Sequence, residues 1–147
     1  DTAKELIERE NLQERVHFLG RWPLEDMPAL FAGAAALLVS LRNEPAFAKA
    51  IPGKIQSYLA GGRPILAMID GEGGDLVQKA GAGLVCGAGR GDALAENVRR
   101  LFAMSEAERA ALGESGKRYA QQYFDRNLLL GKLSAWIDDA VKEHKHG

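Results

Sequence analysis

Two apolar runs constrain the fold more than any other feature of the chain. They are Ala35-Ala-Leu-Leu-Val-Ser40 and Pro64-Ile-Leu-Ala-Met-Ile69, and each is apolar on both faces of an extended segment. Such strands are typical of parallel sheets, because helices cover both faces of the sheet. We therefore predict an α/β fold with both runs as buried strands, the first of them central.

Shorter runs and amphipathic stretches complete this pattern. Arg15-Val-His-Phe-Leu19 and Gly83-Leu-Val-Cys86 predict two more strands, for a Rossmann-like parallel sheet of about four. Asp92 is the expected cap of one late helix, and Ser105-x-x-Glu108 has the form of a capping box for the next. The predicted helices cover residues 2–12, 24–32, 54–60, 75–80, 92–103, 105–124 and 127–142. We expect a sheet-containing core over residues 1–103, with the helices of 104–147 packed back on it.

Composition excludes several classes of protein. A chain of 147 residues fits one domain, and no stretch approaches the ~20 apolar residues of a membrane span. The net charge of −1 provides no overall basic field for nucleic acid. The single cysteine, Cys86, excludes an internal disulfide and fits a reducing compartment. The chain opens on Asp1 without an initiator Met, so we expect a piece of a longer protein.

Common catalytic and metal-binding motifs are missing. Gly53-Lys54 lacks the upstream glycine and the Ser or Thr of a Walker loop, and neither Gly71-x-Gly73 nor Gly87-x-Gly89 completes a dinucleotide fingerprint. The three histidines, at 17, 144 and 146, have no partners at metal-ligand spacing, so no metal site is predicted.

The remaining evidence for a binding site is the position of certain residues after the predicted strands. Ligands of open parallel sheets bind beyond the carboxyl ends of the strands. There the chain places Gly20-Arg21-Trp22, a long loop over residues 41–53, and the acidic, glycine-rich turn Asp70-Gly-Glu-Gly-Gly74. The long loop leads into a helix whose first turn holds Pro52, Gly53 and Lys54. Free amides beside an ammonium suit a pyrophosphate, although an ordinary solvated lysine fits the same spacing.

Four segments in order resemble the donor-binding, C-terminal domain of GT-B glycosyltransferases. The chain is similar to the retaining group 1 transferases of bacterial polysaccharide synthesis, and in particular to N-acetylfucosaminyl and colanic-acid-type transferases. The segments that carry the resemblance are Arg15-Val-His-Phe-Leu-Gly20, Met27-Pro-Ala-Leu-Phe31, Ala35-Ala-Leu-Leu-Val-Ser40 and Ile51-Pro-Gly-Lys-Ile-Gln-Ser-Tyr-Leu-Ala-Gly-Gly-Arg-Pro-Ile65.

This resemblance implies a role for each candidate residue. Gly20-Arg21-Trp22 would border the nucleotide base, near the helix start at Pro52-Gly53-Lys54 that the spacing offers as a pyrophosphate site. Glu44 would be the catalytic acid that handles hydroxyls of the donor sugar. Ser57 occupies the position of a second acid that holds the ribose in the family, so Gln56 or Lys54 would substitute for it. No cofactor is implied beyond the nucleotide-diphosphate sugar, which is the donor substrate.

The resemblance also implies missing parts. Two strands that normally precede residues 1–12, and an entire acceptor-binding N-terminal domain, are not in the sequence. We therefore expect these 147 residues to be inactive alone, with a glycan or lipid-linked acceptor held by the other domain of the full-length enzyme. The strand at Val16–Leu19 would lack its neighbour, which predicts an altered sheet contact or pairing with another chain as a homo-oligomer.

A second hypothesis is a noncatalytic Rossmann-like module that binds a nucleotide or a protein. An additional α/β domain upstream would favour the enzyme, and an authentic start near Asp1 would favour the module. The enzyme hypothesis places the protein in the cytoplasm, with peripheral association at the inner membrane as a further expectation.

Overall fold

The computed structural model describes residues 2–42 and 51–145. Three strands form its sheet: β1 (Leu37–Ser40), β2 (Ile65–Met68) and β3 (Gly83–Cys86). A short 3₁₀ helix, Leu24–Asp26, precedes the second α-helix. The α-helices are α1 (Ala3–Arg9), α2 (Met27–Ala32), α3 (Gly53–Gly61), α4 (Glu72–Lys79), α5 (Gly91–Ala103), α6 (Glu106–Tyr123) and α7 (Arg126–Lys145).

The strands form a parallel sheet in the order β1-β2-β3. The predicted α/β architecture with a parallel sheet flanked by helices is therefore confirmed, and β2 is the central strand. The prediction of a central position for residues 35–40 was wrong. β1 lies at an edge of the described sheet and alternates buried and exposed residues, so that Leu38 is 52% exposed. Leu37 and Val39 face the core, whereas the face that carries Leu38 is left largely uncovered by the described helices, which explains the alternation.

The predicted strand at residues 15–19 does not form, so the described sheet has three strands instead of about four. Val16, Phe18 and Leu19 are exposed. A β-strand requires a hydrogen-bonding neighbour, and no described strand lies beside this segment. Val16–Leu19 therefore makes no sheet contact with any described strand of the chain. Its pairing with another chain stays a prediction.

The core lies where α3 packs between the sheet and α6. Ile55, Leu59, Ile65 and Val77 are fully buried there. The packing of α6 onto α3 confirms that prediction for the first C-terminal helix. Helix α6 begins at the predicted capping box: the Ser105 hydroxyl accepts the Glu108 amide at 3.2 Å, and the Glu108 carboxylate accepts the Ser105 amide at 2.7 Å.

The last helix differs from α6. All side chains described along α7 are exposed, including the apolar ones. Trp136, for example, is 68% exposed. The expectation that this helix also packs back on the core is therefore not met within the described residues. In the same part of the chain, no helix is both long and apolar enough to cross a membrane.

The start of α5 also differs from the prediction. Arg90, not Asp92, is its N-cap residue, and Asp92 lies in the first turn. The Arg90 guanidinium donates two hydrogen bonds to the Asp92 carboxylate, at 2.9 and 2.8 Å. These bonds hold the pKa of Asp92 far below its ordinary value. The carboxylate is thus committed to an ion pair and does not cap the helix.

Candidate functional site

A groove of about 490 Å³ runs between α2 and α3. Two predicted site residues, Lys54 and Ser57, line it together. They are three positions apart, so they lie on the same side of α3. The remaining walls are mostly apolar: Leu24, Met27, Pro28, Phe31, Tyr58, Ala60 and Gly61.

Two aromatic rings give the groove its shape. Phe31 of α2 and Tyr58 of α3 pack edge to face, with ring centroids 5.2 Å apart and planes at 83°. This preferred aromatic geometry holds the two helices at a fixed separation. An apolar, concave wall with a few polar groups is the usual form of a small-molecule site.

The polar groups of the groove are uncommitted. Within the described residues, the Lys54 ammonium has no ion-pair partner, and the hydroxyls of Ser57 and Tyr58 have no hydrogen-bond partner. Lys54 is the only charged residue among those lining the groove in the described part of the chain. The groove therefore offers one free positive charge and two hydroxyls, which suits an anionic ligand with an apolar portion.

The start of α3 lies beside Lys54. Pro52 is the N-cap residue and makes no side-chain capping bond, and the Ile55 amide donates to the Pro52 carbonyl at 2.9 Å. The amides of Gly53 and Lys54 have no acceptor among the described residues. A Cβ atom added at Gly53 would meet nothing within 4 Å. In the described part of the chain, two amides without an acceptor thus lie in the same helical turn as Lys54, an arrangement that favours negative charge.

The predicted base-bordering residues lie only partly at the groove. Trp22 lines a neighbouring hollow of about 710 Å³ that shares Met27, Phe31 and Tyr58 with the groove. Its indole N–H donates to the Leu19 carbonyl at 3.0 Å, which fixes the ring. Gly20 takes a left-handed conformation (φ +72°) in the loop before it. Gly20 and Arg21 line neither hollow.

The predicted catalytic residue Glu44 lies outside the described residues, so the structure places it nowhere relative to Lys54. Gln56, proposed as a substitute for the missing acid, points away from the groove. It lines a second, more polar groove of about 470 Å³ on the other side of α3, together with Lys117, Asp125 and Arg126. Ser57 lines both grooves and so lies on the ridge between them.

The acidic turn at residues 70–74 is shorter than predicted. Helix α4 starts at Glu72, three residues before the predicted start, with Gly71 (φ +71°) as its N-cap. A Cβ atom at Gly73 would meet Ile69 at 2.9 Å and Pro52 at 3.1 Å. The glycines therefore serve close packing instead of flexibility, because they let α4 approach the start of α3.

Asp70 has a structural partner. Its carboxylate accepts the Ala88 amide at 3.2 Å and ties the end of β2 to the loop after β3. Cys86, at the end of β3, is half-buried, and burial together with the charge of Asp92 raises the pKa of its thiol. A neutral thiol fits the role of a small apolar side chain. In the described part of the chain, no three His, Cys, Asp or Glu side chains come together as metal ligands.

Sequence reasoning missed the apolar walls of the groove. Met27 and Phe31 belong to one of the segments that carry the family resemblance, and Tyr58 belongs to another, but none was assigned to a site. Leu24 was predicted only as the first residue of a helix. In the structure its side chain is 83% exposed and lines the groove. Because exposure is a property of the folded chain, the sequence offered no signal for Leu24.

The fold is a Rossmann-like parallel sheet flanked by helices, with a groove beside the start of α3. The sequence profile of the family described as "Glycosyl transferases group 1" matches residues 1–104, and the chain belongs to that family. The fold is similar to that of Anabaena HepE, whose crystal structure was determined in complex with UDP, with a TM-score of 0.74 and 22% identity. The match covers 92% of this chain and 36% of the HepE chain, so the chain spans about a third of that relative. No curated protein matches the chain at a significant level.

Proposed function

We propose that the chain is the donor-binding half of a retaining glycosyltransferase. The full-length enzyme would transfer a sugar from a nucleotide-diphosphate donor to a glycan or lipid-linked acceptor in bacterial surface polysaccharide synthesis, of the N-acetylfucosaminyl or colanic-acid type. Membership of the group 1 family supports the reaction class. The observation that supports the donor site is that Lys54 and Ser57 line one groove and have no partner among residues 2–42 and 51–145.

In this proposal the diphosphate lies against the Lys54 ammonium and the amides of Gly53 and Lys54, next to Pro52. As the bond between the anomeric carbon and the diphosphate oxygen breaks, negative charge grows on that oxygen. A fixed cation and two amides stabilise this charge without rearranging. The acceptor oxygen forms the new glycosidic bond at the anomeric carbon and gives its proton to a base supplied by the second domain, and the nucleoside diphosphate leaves.

The other candidate residues complete the donor site. The base would lie against the apolar walls of the groove, with Trp22, Arg21 and Gly20 at its border. Glu44 would bind hydroxyls of the sugar. The acceptor would be held by a second domain, which the chain would need for activity because the reacting groups must be positioned together. A lipid-linked acceptor would bring the cytoplasmic enzyme to the inner membrane.

Calorimetric titration of the chain with a panel of nucleoside diphosphates tests the site. Lys54→Ala should weaken binding by about 1.5–3 kcal/mol, or about tenfold or more, because it removes a hydrogen bond from a charged donor. Lys79→Ala is the matched control, since it removes the same charge from the last turn of α4. Equal binding by wild type and Lys54→Ala, with the fold intact, would contradict the proposal.

A similar experiment separates the proposed role of Glu44 from that of Lys54. In the full-length enzyme, Glu44→Gln should lower turnover more than nucleoside diphosphate binding, because its proposed partner is the sugar. Binding without any transfer by the full-length protein would instead favour a noncatalytic nucleotide-binding module.

A further inference from the structure

Helix α7 carries apolar side chains that nothing in the described structure covers. Six of them lie on one face of the helix and are 45–68% exposed. They are Leu129, Leu130, Leu133, Trp136, Ile137 and Val141. None of the described side chains of α7 is buried. A helix that gains so little from packing is marginal in water, so this apolar face needs a partner.

The area of this face sets the size of the partner. Each of the six side chains leaves roughly 100 Å² accessible to water, so two such faces that pair would bury roughly 1,200 Å² in total. That area reaches the lower limit for a stable protein interface. A second copy of the chain therefore suffices as the partner, since a two-fold axis lets the same face serve both subunits.

The spacing of the apolar residues favours an antiparallel copy. Four of the six follow each other at intervals of four residues and so form one ridge of the helix. The ridge consists of Leu129, Leu133, Ile137 and Val141. With a two-fold axis level with Ala135, Leu133 lies level with Ile137 of the second copy. By the same symmetry, Leu129 lies level with Val141 of that copy.

The charges of α7 favour the same direction. Residues 126–135 carry two basic residues and no acidic one, whereas residues 136–145 carry three acidic residues and two lysines. An antiparallel copy puts the positive half of one helix beside the negative half of the other, and a parallel copy puts like halves together. The net charge of the chain, −1, adds little repulsion between the copies.

We propose that this face of α7 is the interface of a homodimer, in which two copies of the helix pair antiparallel about a two-fold axis near Ala135. Leu128 lies outside the interface, because the helical spacing puts it on the opposite side from Leu133. The dimer is independent of the proposed donor site, since no described residue of α7 lines the groove between α2 and α3.

Light scattering coupled to size-exclusion chromatography measures the mass of the chain over a range of concentrations. The wild type should have twice the mass of one chain at micromolar concentration and should dissociate on dilution. Leu133→Lys puts a charge at the centre of the interface and should raise the dissociation constant by about tenfold or more. Leu128→Lys is the matched control. It makes the same change outside the apolar face, and should leave the dissociation constant within about twofold.

Fluorescence of Trp136 reports on the same face. In a Trp22→Phe background Trp136 is the remaining tryptophan, and its emission should move to shorter wavelength as the dimer forms, because the ring leaves water. A folded chain that stays monomeric at every concentration would overturn the proposal. A dimer that Leu133→Lys leaves intact would also overturn it and would indicate another surface, such as Val16–Leu19. Short-wavelength emission from a monomer would show instead that α7 folds back on its own chain.

Discussion

Helix α3 has two faces that differ in almost every physical respect. On one face Ile55 and Leu59 are 0% exposed, held between the sheet and α6. On the other face Lys54 and Ser57 are exposed and have no partner among the described residues. Buried and exposed residues follow each other closely along this short helix. The rigid core therefore fixes the position of the side chains that line the groove. Substitutions on the two faces should therefore separate stability from binding.

The core face depends on small residues as much as on large ones. A Cβ atom at Gly113 of α6 would collide with the Gly62 carbonyl oxygen, and one at Gly116 would lie 2.9 Å from the Ala82 side chain and 3.2 Å from that of Leu59. These contacts let the backbones of α3 and α6 approach closely. Helix α7 has larger apolar side chains but is exposed, so apolar content alone does not decide which helix packs.

The largest expected effect is on the core face. Leu59→Ala removes a fully buried side chain and leaves a cavity between the sheet and α6. We expect a loss of about 2–5 kcal/mol in the free energy of unfolding, measured by urea denaturation. Ser57→Ala, two positions away on the exposed face, should change the free energy of unfolding by about 0.5 kcal/mol or less. Similar losses from the two variants would contradict the division of α3 into two faces.

The sequence predicted the core face better than the groove. Ile55 and Leu59 follow helical spacing, and the strands at 64–69 and 83–86 have the apolar composition typical of a parallel sheet. The capping box at Ser105 is a local device, and local devices can be recognised from a few residues. Lys54 was proposed because a helix start after a strand is a recurrent ligand position, and Ser57 because of its place in the family resemblance. The structure puts both side chains on one groove.

The predictions that failed have a common physical cause: each of these features depends on neighbouring parts of the folded structure, which the local sequence does not show. The segment at 15–19 has the composition of a strand, but no described strand lies beside it. Residues 35–40 lie at the edge of the described sheet because no further described strand pairs with them. Gly73 and Gly74 looked flexible, and only their distances from Pro52, Ile69 and Val85 show that they are packing residues. Such facts require the assembled tertiary structure.

A second pair of variants makes the same Gly→Ala change in two helices. The two changes in the free energy of unfolding should have opposite signs. Gly113→Ala should destabilise the chain by about 1–3 kcal/mol, since the collision is with backbone that cannot move easily. Gly131→Ala in α7 meets nothing within 4 Å and should stabilise the chain by about 0.5–1 kcal/mol through helix propensity. Thermal unfolding of both variants provides the measurement. A stabilising Gly113→Ala would show that α3 and α6 are not in close contact.

The last expected effect is modest and concerns the start of α6, the helix that covers the core face of α3. Hydrogen bonds from the Ser105 amide and hydroxyl hold the pKa of Glu108 below its ordinary value of 4.5. A carboxyl with a lowered pKa stabilises the fold above its ordinary pKa, and this contribution is lost as the pH falls through the lowered value. Ser105→Ala should therefore cost about 1 kcal/mol at pH 7, and less as the pH falls below 4.5. In a Glu108→Gln background, where no charge remains to be lost, the cost of Ser105→Ala should stay constant with pH. Urea denaturation at several pH values compares the two backgrounds, and a constant cost in both would show that Glu108 does not accept the Ser105 hydroxyl.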